Sequence, residues 1–135
     1  MVAYADKRSP AHAASVSDTL QRAQAHGVRI ISGSDSNPIY EIGILEIEQL
    51  VFSGLSPMQA IQAATINSAQ MMGQEEHLGT LERGKLADIV VLERNPLASI
   101  SNLRSKAFVM KGGEFVNLSV DEGVQSFWKL YFLGD

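Results

Sequence analysis

Apolar and polar positions alternate along this chain in a way that divides it into a helical part and a later part of short apolar runs. Residues 15–26 read as a helix: Ser15 can cap it with Asp18 three residues on, Leu20 and Ala23 share a face, and Gly27 closes it. Before it no period is clear. Ser9-Pro10 reads as a turn, and Ala11-His12-Ala13-Ala14 as the end of a helix begun earlier. Val28-Arg29-Ile30-Ile31-Ser32 follows after almost no loop, and its β-branched residues predict a short buried strand. Gly33 breaks that strand, so helix, tight turn and strand make one αβ unit, the building block of parallel sheets.

Asn37-Pro38 marks a loop. The run Ile42–Phe52 then predicts a helix, with Ile44, Ile47, Leu50 and Val51 on one side and Glu41, Glu48 and Gln49 mostly on the other, ended by Gly54. Ser56-Pro57-Met58-Gln59 is a strong helix start: Ser56 as N-cap, Pro57 in the first helical position and Gln59 completing a capping box. That helix carries Met58, Ile61 and Ala64. A second cap at Thr65 or Asn67 opens another short helix that Gly73 ends.

After residue 78 the pattern changes. Asp88-Ile89-Val90-Val91-Leu92 is a continuous apolar strand, and Asn95-Pro96 is a turn. Residues 107–110 and 114–117 predict two more strands joined through Lys111-Gly112-Gly113 as a hairpin. From Ser119, with Glu122 three residues on, a last helix is expected, with Val124, Phe127, Trp128 and Tyr131 as its apolar stripe. Packing is the first reading of that stripe and an interface with another chain the second.

Composition narrows the function. The 135 residues amount to one domain's worth of chain, and 45% hydrophobic with 19% charged residues is ordinary for a folded protein. A net charge of −4 without a run of Lys or Arg argues against nucleic acid or a membrane surface as partner. The absence of cysteine excludes disulfide frameworks, thiolate catalysis and thiolate zinc sites. No apolar run reaches the roughly 18 residues of a membrane span, and the first eight residues lack the apolar centre of a secretion signal. A cytoplasmic protein is the expectation.

Chemistry-bearing residues are few. Asp35 stands just past the expected strand, where α/β proteins place their working groups, and a carboxylate there can hold a divalent metal or take a proton. Ser34-Asp35-Ser36 is also ordinary turn chemistry, and on these residues alone a turn-capping Asp35 is the stronger reading. Gly79-Thr80-Leu81-Glu82-Arg83-Gly84-Lys85 fits the start of a phosphate-binding loop, but Leu86 stands where a hydroxyl is needed and a strand, not a helix, follows. A turn feeding that strand is the better reading. His12, His26 and His77 lack metal-site spacing, and no G-x-S-x-G elbow surrounds Ser34 or Ser36.

Taken together, several blocks resemble the carboxyl-terminal part of the amidohydrolase superfamily. They are Gly33-Ser34-Asp35-Ser36; Gly54-Leu55-Ser56-Pro57-Met58-Gln59-Ala60-Ile61; Ala63-Ala64-Thr65-Ile66-Asn67-Ser68-Ala69; the stretch 78–92; Asn95-Pro96-Leu97; and the stretch 109–116. The branch they most resemble includes imidazolonepropionases, metal-dependent dipeptidases and deaminases. The resemblance covers roughly residues 18–117.

It implies an α/β chain: the last βα portion of a metal-dependent (β/α)8 barrel with the returning strands of a small β-sandwich. Residues 1–78 would be the end of the barrel, with 28–32 as its eighth strand, 79–118 the sandwich strands, and 119–135 a carboxyl-terminal helix. Asp35 would match the aspartate that binds the catalytic divalent metal, zinc in the complete enzyme, and acts as base toward the attacking water. The family's His-x-His and its later ligands have no counterpart here, and a barrel takes about 250 residues. The expectation is therefore an incomplete barrel, inactive alone, whose complete enzyme hydrolyses carbon–nitrogen bonds of small amides, cyclic amides or amidines. Self-association or a partner chain would cover its open surfaces. A non-catalytic module or a truncated gene product derived from that family is the alternative.

Overall fold

Among the described residues four α-helices lead and a three-stranded sheet follows. The computed structural model describes residues 10–34 and 42–119. Helix α1 spans Pro10–Ala25, α2 Ile42–Phe52, α3 Pro57–Ala64 and α4 Ile66–Met71; β1 is Ile89–Leu92, β2 Lys106–Lys111 and β3 Glu114–Phe115. Among the described residues this is a mixed α/β arrangement, and its sheet is antiparallel in the order β1-β2-β3.

α1 starts at Pro10, not at Ser15, so Ser15 lies inside the helix and caps nothing. Proline suits a first turn, where its missing N–H has no helical partner, and the alanines after it favour the helical state. The Ala-rich run is thus the beginning of this helix rather than the end of another. α2 has the expected bounds, and Ile44, Ile47, Leu50 and Val51 are half-buried. Ser17 Oγ donates to the Ser53 carbonyl at 2.8 Å, tying α1 to the end of α2.

The capping box that opens α3 is formed as expected. Ser56 Oγ accepts from Gln59 N at 3.3 Å, and Gln59 Oε1 accepts from Ser56 N at 2.8 Å. The buried positions of α3 are Ala60 and Ala63, while Met58 stays 47% exposed. Small side chains let neighbouring backbone come close: Ser32 N donates to the Ala63 carbonyl at 3.1 Å. Thr65 occupies the N-cap position of α4 without a side-chain cap bond, and its hydroxyl donates back to the Ile61 carbonyl at 2.7 Å.

In the sheet Ile89 lies opposite Met110, Val91 opposite Phe108, and Met110 opposite Phe115, with the register shifting after Val91. Gly112 and Gly113 have φ of 58° and 89° and form the two-residue hairpin loop, a geometry that glycine adopts at no steric cost. β3 ends at Phe115, two residues before the expected limit at Asn117. The rings of Phe108 and Phe115 meet edge to face, their centroids 5.4 Å apart. An unexpected 3-10 helix, Ile100–Arg104, bridges β1 and β2. Buried Ser105 finishes it: its hydroxyl donates to the Asn102 carbonyl at 2.6 Å and accepts from Arg94 N at 3.1 Å. Arg104 pairs with Glu48, linking this bridge to α2.

Residues 28–32, expected as a strand, run extended beside the helices. Among the described residues they pair with no other strand. A β-branched run has the propensity for a strand, but a ladder needs a second strand beside it. The helix expected over 119–135 falls outside the described residues apart from Ser119.

Candidate functional site

Asp35, the residue singled out for metal binding and catalysis, lies outside the described residues. The segment leading to it is described as far as Ser34, and it is held by helices rather than by a sheet. Val28 N donates to the Ala23 carbonyl at 2.9 Å, turning the chain out of α1. Asn67 Nδ2, at the start of α4, donates to the Ile30 carbonyl at 2.9 Å. Ser32 N reaches Ala63 as above, and Arg29 Nη1 donates to Gln70 Oε1 at 2.5 Å. Gly33 N donates to Glu46 Oε1 of α2 at 2.6 Å, short enough for a charge-assisted bond.

Beside this last contact a cavity of about 570 Å³ opens between α1 and α2, with Gly33, Ser34 and Glu46 among its lining residues and Leu20, Ile42 and Leu50 on its apolar walls. Glu46 was not among the residues that periodicity assigned to the polar side of α2. The signal that marks it is a lone carboxylate inside the apolar run Ile42-Gly43-Ile44-Leu45-Glu46-Ile47. Asn67, read only as an alternative cap, has instead a long-range role at Ile30.

Among the described residues no group of three or more His, Asp or Glu side chains stands close enough to hold a metal ion. His26 and His77 are exposed at separate loops. The loop that mimics a phosphate site is tied to itself: Lys85 Nζ donates to Thr80 Oγ1 at 2.5 Å, its side chain is only 12% exposed, and Leu86 N donates to the His77 carbonyl at 3.0 Å.

Asp88 sets the hairpin. Its carboxylate pairs with Lys111 and accepts from Gly112 N at 2.7 Å, and the bonds from Lys111 and Gly112 hold its pKa below the ordinary aspartate value. No described helix is long and apolar enough to cross a membrane.

Comparison with known proteins places these features in a wider frame. The amidohydrolase family model matches residues 1–116. Over 101 residues the chain is 37% identical to imidazolonepropionase of Symbiobacterium thermophilum, a match covering 72% of this chain and 24% of the relative. Over 70 residues it is 40% identical to adenine deaminase of Desulforamulus reducens, covering 52% of this chain and 11% of the relative. A crystal structure of a Xaa-Pro dipeptidase with bound methionine in the active site superposes with a TM-score of 0.68 at 35% identity, covering 75% of this chain and 25% of that one. The chain thus spans about a quarter of the length of the imidazolonepropionase and dipeptidase relatives.

Proposed function

The chain belongs to the amidohydrolase family, and from that premise we propose that it supplies the carboxyl-terminal part of an enzyme that hydrolyses carbon–nitrogen bonds in small amides, cyclic amides or amidines. In this reading residues 1–78 end a (β/α)8 barrel, 28–32 are its eighth strand, 79–118 are strands of a small β-sandwich, and 119–135 form a terminal helix. Asp35 is the metal ligand and the base toward the attacking water.

One observation carries the proposal: the family match spans residues 1–116, a range that takes in the helices, Gly33-Ser34-Asp35-Ser36 and the sheet. The lead-in to Asp35 supports it, since Val28, Ile30, Ser32 and Gly33 are each hydrogen-bonded to a helix. The unpaired 28–32 segment agrees with a strand whose neighbours belong to the rest of a barrel.

The described residues do not fit a metal centre by themselves. A catalytic zinc takes three protein ligands, and no such cluster is found among them. The further ligands would come from the part of the relatives' length that this chain does not span, and zinc is the ion favoured for the complete enzyme. The chain alone is expected to be inactive.

The test pairs this chain with the amino-terminal part of an amidohydrolase relative, supplied as a separate polypeptide. Metal content and hydrolysis of a cyclic amide and of an X-Pro dipeptide are measured for each chain and for the pair. The expected result is turnover only in the pair, with metal retained, and loss of that turnover in Asp35→Asn. Hydrolysis by this chain alone, or turnover that survives Asp35→Asn, overturns the proposal.

A further inference from the structure

We infer that Glu46 is a positioning residue for the segment that leads to Asp35: from α2 its carboxylate holds the main chain at Gly33, two residues before Asp35 in the sequence. The inference rests on the reading of Asp35 as a site residue and adds the group that places it. Gly33 is two residues before Asp35, and its N–H is bound by Glu46 Oε1 at 2.6 Å across 13 positions of sequence. This is the last anchor before Asp35 in the described segment. The earlier ones, at Val28, Ile30 and Ser32, fix the segment's course, whereas Glu46 fixes its end.

The cost of keeping Glu46 where it stands supports a specific task. It is half-buried, on the wall of the cavity formed with Leu20, Ile42 and Leu50. A carboxylate beside apolar walls loses part of its hydration, and the bond from Gly33 makes up for it. Its neighbour on the same helix, Glu48, points elsewhere and pairs with Arg104. Packing alone would be served better by an apolar residue at position 46, as at Ile44 and Ile47.

Nor does Gly33 owe its place to backbone freedom. Its φ is not in the left-handed region, and a Cβ built on it meets nothing within 4 Å. What the position contributes is its N–H, which any residue but proline supplies. The anchor is therefore the Glu46 carboxylate and can be removed from that side alone.

The experiment compares Glu46→Ala and Glu46→Gln in the full chain. Glutamine keeps an acceptor oxygen at the same reach; alanine does not. Amide hydrogen exchange at Gly33, read by NMR, is expected to speed up about tenfold in Glu46→Ala, the order expected for loss of one charge-assisted bond. Glu46→Gln should restore protection to within a few-fold of the parent, and amides of α3 should stay unchanged in both. In the two-chain assay, Glu46→Ala should lower kcat with little change in KM, and Glu46→Gln should recover most of it.

An unchanged Gly33 amide in Glu46→Ala, or equal losses in the alanine and glutamine variants, overturns the positioning role. Turnover that survives Asp35→Asn overturns the reading of Asp35 instead, and the Gly33 exchange data still report on Glu46 independently.

Discussion

A single glycine shows how close contact at the residue level decides the use of a motif. Gly79 opens the segment that mimics a phosphate loop, yet its φ is +93° and a Cβ there would lie 2.8 Å from Ile66 Cα and 2.9 Å from Ala69 Cβ. The glycine is needed because the loop crosses the first turn of α4 at near-contact distance. Gly79→Ala should cost about 2–4 kcal/mol, from the left-handed backbone and the clash with main chain together. Gly33→Ala, with open space and an ordinary φ, should shift stability by less than about 1 kcal/mol; urea midpoints of the two variants check both. Asp88 gives a second residue-scale prediction. Its pKa is lowered in the folded state by Lys111 and Gly112, so it stabilises the fold above the unfolded-state value near 3.9. That contribution is lost as pH falls through the lower folded-state value. Asp88→Asn should therefore be less stable than the parent at pH 7, and the gap should close between about pH 4 and the acid limit. Thermal unfolding across that range reads it. Sequence reasoning reached the hairpin but not Asp88's hold on it, because a side chain that bridges 24 positions to a backbone N–H leaves no periodic trace.

The elements were legible where local chemistry decides them. α2 and the capping box of α3 came out as expected, since hydrophobic period, Pro57 and the Ser56–Gln59 pair all act within a few residues. Ser56→Ala should cost about 1 kcal/mol, with the loss seen as faster amide exchange over the first turn of α3. Ser56→Asp, which keeps an acceptor, should recover most of it. Elements that depend on distant partners were less legible. Residues 28–32 have strand propensity but no strand beside them among the described residues. The 3-10 helix over Ile100–Arg104 is fixed by Ser105 and by Arg104 reaching Glu48 on α2, contacts that local pattern does not contain. At α1 the expected cap at Ser15 yielded to Pro10, because Ser with Asp three residues later is a weak start signal beside a proline followed by alanines. The candidate site divides the same way: Gly33 to Asp35 stood out by composition and resemblance, whereas Glu46 and Asn67 needed the fold to bring them to that segment.

For the molecule as a whole, the described fold buries little that is large. Its buried apolar side chains are Leu55, Ala60, Ala63 and Ala69, while Val28, Phe52, Leu81, Leu86 and Phe115 all stand more than half exposed. Apolar surface left in water forgoes about 25 cal/mol per Å² that burial would return, and segment 28–32, bonded to helices at Val28, Ile30 and Ser32, has no strand beside it among the described residues. Both features favour association, and they are what a portion covering a quarter of its relatives' length would expose where the remaining portion packs. The purified chain should therefore self-associate with rising concentration and bind an apolar-surface dye. Adding the amino-terminal part of a relative should reduce both effects, because that part competes for the same surface. Sedimentation and dye fluorescence across a wide concentration range supply the test. A monomer that stays sharp throughout and binds no dye would mean that the chain covers these residues by itself, and would count against its forming part of a larger barrel.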